Sequence, residues 1–228
     1  MRALLLPIKD LRNAKQRLAP LLTPAERLAL AEAMLADTIE AVRGVRKVDR
    51  IFVVTNYAPA IQVAEENGWE LLREEQQISE SASVDAASRQ CAERGIRAVL
   101  RLPLDVPLAQ SADIDELLAI DCAPPTVVIV PSRDGTGTNA ILRTPPTLFP
   151  SHFGNGSFAR HCAEAERAGA QIIPRNSPRL EMDVDDEADL LALVQHDLSS
   201  TETGAWLERS GWMDQLRGAR GLNIAGKI

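Results

Sequence analysis

Cysteine is scarce in this chain. There are three, Cys91, Cys122 and Cys162, scattered, odd in number and without a CxxC pair. That pattern suggests neither a disulfide framework nor a cysteine-built zinc site, and it fits reduced thiols in a cytoplasmic protein. Aromatic residues are also few, at 4%, so the core must be built from Leu, Val, Ile and Ala. Long apolar runs are missing. None approaches the roughly 20 residues of a membrane helix, and the first, Arg2 to Pro7, lacks the charged front and length of a signal peptide. We therefore expect a cytoplasmic protein with no membrane partner. Positive charge is in deficit, with a formal net charge of -7 and a pI near 5.1. A nucleic-acid groove needs a basic face, so no nucleic-acid partner is expected. A small anionic substrate stays open, because a few local Lys and Arg can bind phosphate inside an acidic protein.

What remains is enough for a real core: 228 residues, 45% of them hydrophobic, the size of one α/β domain with or without a small appendage. Apolar runs at 2–7, 49–55, 69–72, 96–100, 126–130, 140–142 and 172–173 read as strands. Helical spacing marks 24–43, 59–67, 83–94, 113–120, 157–168 and 186–195. Thr23-Pro24-Ala25-Glu26 is a capping box with proline at the first helical position. Alternation of strands and helices predicts βαβ units and a largely parallel sheet. After Leu198 the chain changes character. Trp206, Leu207, Trp212, Met213 and Leu216 predict an appended helix that docks on the body or on a partner subunit, so a homodimer stays open.

Four stretches carry chemistry. The centre is Arg101-Leu102-Pro103-Leu104-Asp105-Val106-Pro107-Leu108, where a strand ends and a loop stiffened by two prolines begins. Ligands of open α/β sheets bind outside the carboxyl ends of the strands. Asp105 is thus placed to hold a metal ion, the plainer alternative being a helix cap. Asp183 and Asp185, at i and i+2 of a second acidic cluster, point the same way if extended. With Asp105 they can hold Mg²⁺, a hard cation that prefers carboxylates and phosphates, while Asp185 or Asp186 can instead cap the following helix. The basic loop Lys9, Arg12, Lys15, Arg17 has neither glycine nor a P-loop pattern, so side chains rather than a backbone cradle would neutralise phosphates there. Gly135-Thr136-Gly137-Thr138-Asn139 and Gly154-Asn155-Gly156-Ser157 are glycine-rich, the second opening a helix. Both are candidate anion sites, with tight turns as the alternative.

Taken together, Pro7-Ile8-Lys9, Ala14-Lys15-Gln16-Arg17-Leu18, Leu102 to Leu108, Pro131 to Gly135, Gly137 to Ala140, Phe153 to Phe158 and Asp183-Val184-Asp185 make a pattern. It resembles the 2-phospho-L-lactate guanylyltransferases of coenzyme F(420) biosynthesis, relatives of the molybdenum-cofactor nucleotidyltransferases. The resemblance implies a nucleotide-diphospho-sugar transferase type α/β sandwich, a mixed but mostly parallel sheet flanked by helices. The resemblance covers roughly Met1 to Val194, so a nucleotidyltransferase domain is expected over 1–197, followed by a helical tail over 198–228 that is not part of the resemblance. Lys9, Lys15 and Arg17 would hold the GTP triphosphate, and Lys15 and Asp105 would be catalytic. Asp105, Asp183 and Asp185 would bind Mg²⁺. Thr138, Gly154 and Ser157 would hold a small phosphorylated acid: 2-phospholactate, phosphoenolpyruvate or a phosphoglycerate. Two features depart from the family pattern. Gln16 stands where Ser is frequent, and a Gly-Leu-Asn stretch near the base and ribose is replaced by Gln77 to Ser88. The expected reaction is guanylyl transfer from GTP to the acid with release of pyrophosphate. The alternatives are a sugar-phosphate or molybdopterin-like acceptor, or a nucleotide-binding protein without catalysis.

Overall fold

Strand β1 (Arg2–Pro7) sends Leu4 and Leu6 into one hydrophobic cluster and Ala3 and Leu5 into another. All four are fully buried. A strand covered on both faces is apolar throughout, which is why this one reads as a continuous run. The structure, a computed structural model, describes residues 1–76, 78–121 and 123–225, with side chains through 218. Gln77 of the divergent stretch, Cys122, and the tail residues 226–228 lie outside the described residues. Cys91 and Cys162 are free thiols. No described helix is long and apolar enough to cross a membrane.

Around β1 the sheet is completed by β2 (Arg50–Thr55), β3 (Glu70–Arg73), β4 (Ala98–Arg101), β5 (Thr126–Pro131), β6 (Thr138–Thr144) and β7 (Gln171–Pro174), in the order β3-β2-β1-β4-β6-β5-β7. Every pairing is parallel except the two made by β6. The sheet is therefore mixed and mostly parallel, as expected. On one face α1 (Pro24–Arg43), α2 (Ala58–Glu66) and α4 (Ser111–Ala119) bury Leu35, Ile39, Ala60, Ile114 and Leu117 against Leu4 and Leu6. On the other, α3 (Glu80–Glu93) and α5 (Ser157–Arg167) bury Val84, Ala87 and Ala165. Each fully buried leucine contributes roughly 1.5–3 kcal/mol.

The capping box at Thr23 and Glu26 forms as predicted. Beyond shifts of a residue or two at element ends, two differences from the sequence reading bear on the site and the tail. Helix α3 begins at Glu80 rather than near Ser83, because Ser79 accepts a hydrogen bond from Ala82 N and caps it there. The tail is two helices, α7 (Glu202–Arg209) and α8 (Trp212–Ala225), not one. The break falls at Gly211, whose φ of +76° ends α7 in the left-handed region that glycine adopts freely. Together with α6 (Glu187–Leu193) the tail packs on the outer side of α1, where Leu207, Met213 and Leu216 join Leu30, Met34, Leu18 and Leu22. Asp37 of α1 accepts hydrogen bonds from Glu202 N and Thr203 N at the start of α7. Trp212 Nε1 donates to Glu26 Oε1 at 3.0 Å. Of the two docking sites that the sequence left open for the tail, the body is occupied.

This topology creates the crevice. From β1 the chain crosses to β2 on one side, while β4 lies on the other. The carboxyl ends of β1 and β4 form the switch point where α/β sheets bind ligands. The loops after β1 and β4 open at that edge. Because β6 runs antiparallel, its first residues, Thr138 and Asn139, start there too.

Candidate active site

The loop after β1 makes two 3₁₀ turns, Leu11–Asn13 and Gln16–Leu18. Between them Lys15 adopts φ 54°, left-handed backbone that a non-glycine residue takes only when its surroundings hold it. What holds it is charge: Lys15 Nζ donates to Asp105 Oδ2 at 2.8 Å and to Asp185 Oδ1 at 3.0 Å. The lysine side chain is only 9% exposed. Burial opposes its charge, but the two carboxylates outweigh burial and hold its pKa above the usual lysine range. Burial likewise works to raise the Asp105 carboxyl, and the Lys15 ammonium more than offsets it, so Asp105 stays ionised.

The two acidic stretches are fastened by backbone. Val184 N donates to Asp105 O at 3.1 Å, which brings the 183–185 segment against the loop after β4. Asp186 caps α6 in a capping box with Asp189, and α4 is capped by Gln110 with Asp113. Neither Asp105 nor Asp185 is spent as a helix cap. Asn139 Nδ2 donates to Leu180 O at 2.9 Å and to Asp183 Oδ1 at 3.1 Å, fixing the Asp183 carboxylate. Burial, together with the charges of Asp105 and Asp185, pushes the Asp183 carboxyl up to about 6 despite that hydrogen bond.

Two cavities meet at this edge. The first, about 410 Å³, is lined by Lys9, Lys15, Arg17, Leu104 and Asp105. The second, about 490 Å³, is lined by Thr138, Asn139, Gly154, Ser157, Asp183 and Asp185. Arg17, Glu80, Arg101, Pro103, Asp105 and Asp185 line both. Of the residues assigned from the sequence, Lys9 and Lys15 fall in the first space and Thr138, Gly154 and Ser157 in the second, while Arg17 lines both. Among the described residues, no three His, Cys, Asp or Glu side chains stand as a ready metal cluster. Lys15 Nζ lies between Asp105 and Asp185 instead. Asp105, Asp183 and Asp185 stand at this edge as separate carboxylates, oxygen donors of the type a hard divalent cation takes, and burial with neighbouring charge raises the Asp183 pKa.

Of the two readings that the sequence left open for the glycine-threonine loop, the structure has the tight turn and not a free backbone cradle for an anion. Asp134 Oδ1 accepts from Thr136 N at 2.9 Å, and Ser132 Oγ accepts from Gly137 N at 2.7 Å. Gly137 is required for close approach, since a Cβ there would lie 2.8 Å from Ser132 Oγ. The same network holds the Asp134 carboxyl down to about 2, chiefly through the Ser132 hydroxyl. Thr138 lines the second cavity. Gly154 (φ +104°) and Gly156 (φ +68°) shape the turn before α5, whose start carries no side-chain cap. The first two N–H groups of that helix are taken within the protein, Ser157 N donating to Gly154 O at 3.0 Å and Phe158 N to Thr136 O at 3.1 Å, which leaves the Ser157 hydroxyl as the group to offer an anion.

Sequence reasoning missed three residues. Arg101 is buried, donates to Thr138 O and Asn139 O, pairs with Glu80 and stacks over Phe153 at 4.3 Å. Its signal was present, an arginine inside the apolar run Val99-Leu100-Arg101-Leu102. Asn139 and His161 carried no such signal, because their partners lie far away in sequence. The divergent stretch, most of which forms the first turns of α3, is also explained in part. Ser81 Oγ accepts from Phe153 N at 2.9 Å, Asp85 accepts from Ser151 N and Oγ, and Ser83 Oγ accepts from Lys9 Nζ at 3.2 Å. Ser81 and Asp85 brace the loop that leads to Gly154, and Ser83 holds Lys9.

The family described as guanylyl transferase CofC like matches residues 1–217. The phosphoenolpyruvate guanylyltransferase of Conexibacter woesei is 37% identical over 213 residues, 93% of this chain and 95% of that one. The 2-phospho-L-lactate guanylyltransferase of Methanothermobacter thermautotrophicus is 32% identical over 192 residues, 84% of this chain and 83% of that one. A solved structure from Desulfovibrio desulfuricans, assigned to the nucleotide-diphospho-sugar transferases, superimposes with a TM-score of 0.73 at 17% identity, over 95% of this chain and 97% of that one. The fold is therefore the nucleotide-diphospho-sugar transferase type sandwich expected from the sequence. The chain is a nucleotidyltransferase and belongs to the CofC-like guanylyl transferase family.

Proposed function

We propose that this enzyme transfers the guanylyl group of GTP to a small phosphorylated acid, in coenzyme F(420) biosynthesis. Phosphoenolpyruvate, named in the relative that matches more of the chain, is the acceptor we put first, and 2-phospho-L-lactate is the second. The observation that carries the reading is the common wall of the two cavities. A basic space and an anion-receiving space meet at Asp105, Asp185 and Arg101.

An oxygen of the acid's phosphate attacks the α-phosphorus of GTP. The bond from that phosphorus to the oxygen bridging the β-phosphate breaks, and pyrophosphate leaves. No protein nucleophile takes part. Lys9, Lys15 and Arg17 hold the triphosphate and neutralise charge on the leaving group. Thr138, Gly154 and Ser157 hold the acid's phosphate and carboxylate, so that both reactants are fixed before reaction. Asp105, Asp183 and Asp185 would hold Mg²⁺, which supplies charge neutralisation at phosphate oxygens. Lys15 keeps Asp105 and Asp185 close together. The enzyme, GTP, phosphoenolpyruvate and Mg²⁺ can be followed by phosphorus NMR. A new pair of coupled resonances from a bridged diphosphate, together with pyrophosphate, is expected. Release of GDP and inorganic phosphate alone would overturn the proposal.

A further inference from the structure

Behind the acceptor cavity lies a histidine that the reaction scheme does not use. His161, on α5, is 1% exposed. The rings of Phe149 and Phe153 surround it, at centroid distances of 6.1 and 5.1 Å. Its two ring nitrogens have different partners. His152 N lies 2.8 Å from Nε2, and a backbone N–H can only donate, so Nε2 is the unprotonated nitrogen. The proton of the neutral ring must then sit on Nδ1. Nδ1 lies 3.0 Å from Thr138 Oγ1, so it donates to that oxygen. Thr138 Oγ1 is thereby an acceptor towards the histidine, and its own hydrogen is turned away from the ring. Among the described residues no other partner takes that hydrogen, and Thr138 lines the acceptor cavity.

We infer that His161 is a positioning residue. It locks the Thr138 hydroxyl as a hydrogen-bond donor aimed at an anionic oxygen of the phosphorylated acid. The inference rests on the proposed placement of the acid at Thr138. A hydroxyl that rotates freely can present either its hydrogen or its lone pairs; one already accepting from a buried N–H presents its hydrogen. The ring also stays neutral. Burial first, and then the charges of Arg143, His152, Arg101 and Arg160, hold its pKa down to about 3, so Nε2 keeps its lone pair for His152 N at working pH. The tautomer of this ring is thus fixed by the backbone on one side, and the polarity of a substrate contact follows on the other.

Two measurements test this. Nitrogen-15 NMR of the substrate-free enzyme reads the tautomer directly. The expected result is a proton on Nδ1 and none on Nε2 of His161, and a proton on Nε2 overturns the inference. Steady-state kinetics then compare His161→Phe, which keeps the ring volume, His161→Asn, whose amide N–H can stand in for Nδ1, and Thr138→Val. The expected result is a rise of about tenfold in KM for phosphoenolpyruvate in His161→Phe and in Thr138→Val. KM for GTP should be unchanged in both, and His161→Asn should recover most of the loss. If Thr138→Val raises KM for the acid and His161→Phe does not, His161 is only packing and the inference fails while the acceptor site stands. If neither raises it, the acid is not at Thr138, and the placement and the inference fall together.

Discussion

The backbone N–H of Val184 donates to the backbone carbonyl of Asp105 at 3.1 Å. That one bond brings the loop after β4 and the segment before α6 to the same edge. It sets three carboxylates around a space that neither segment could build alone. Lys15 then bridges Asp105 and Asp185 from a third loop. The consequences can be tested residue by residue.

Asp105→Asn should cut turnover by on the order of a hundredfold or more, with the far-UV circular dichroism and Tm close to those of the wild type. The variant keeps the backbone bond to Val184, so the loop stays in place while one negative charge is lost. Near-wild-type turnover at low Mg²⁺ would reduce Asp105 to a loop residue.

Lys15→Ala should likewise lower kcat by about a hundredfold, because no glycine cradle replaces the side chain. Folding should suffer less. The lysine sits in left-handed backbone that costs of order 1–3 kcal/mol, so Lys15→Gly should be at least as stable as Lys15→Ala and equally slow. A change in Tm without a change in kcat would mean that the lysine is structural.

Ser157→Ala should raise KM for the acid about tenfold, which corresponds to about 1.4 kcal/mol, and leave KM for GTP unchanged. Ser157 opens α5 in the cavity away from Lys9 and Lys15. The opposite pattern would mean that the two substrates have been exchanged between the cavities.

Much of this was legible in the sequence, for identifiable reasons. The buried strands showed as apolar runs, and α1 announced itself by Thr23, Pro24, Glu26 and a helical stripe. Asp105, Asp183 and Asp185 were visible because carboxylates flanked by apolar residues stand out. The pairing of Lys15 with two of them was not visible, since a contact between distant loops has no local signal. The loop at 135–139 stayed open between an anion site and a tight turn for the same reason. The composition allowed backbone N–H groups to be free, and only the fold reveals that Asp134 and Ser132 have taken them. His161 looked like any helix residue until β6 put Thr138 against it.

The buried imidazole makes stability depend on pH. His161 has a folded pKa of about 3, well below the usual 6.5 or so of an unfolded histidine. Its contribution is therefore fully present above pH 6.5 and is lost as pH falls from there towards 3. The loss is at most about 1.4 kcal/mol per pH unit. The Tm of the wild type should drop between pH 7 and pH 4 more steeply than that of His161→Phe. Equal slopes would show that His161 is not the group responsible.

The tail gives a prediction confined to folding. A Cβ at Gly204 would stand 2.2 Å from Leu198 O, which is backbone and cannot move aside cheaply. Gly204→Ala should displace α7 from α1 and cost about 1–3 kcal/mol, lowering Tm by a few degrees. A Tm equal to the wild type would mean that α7 tolerates the shift and that the contact at Leu198 is not tight in solution.

The measurement closest to the central claim is pyrophosphate release in a grid of the four nucleoside triphosphates against phosphoenolpyruvate, 2-phospho-L-lactate, phosphoglycerate and a sugar phosphate, with Mg²⁺. The expected result is release that needs both partners, fastest with GTP and phosphoenolpyruvate or 2-phospho-L-lactate, with one guanylylated acid formed per pyrophosphate. Release without any acid, or none with any pair, would contradict two substrates meeting across the wall of Asp105, Asp185 and Arg101.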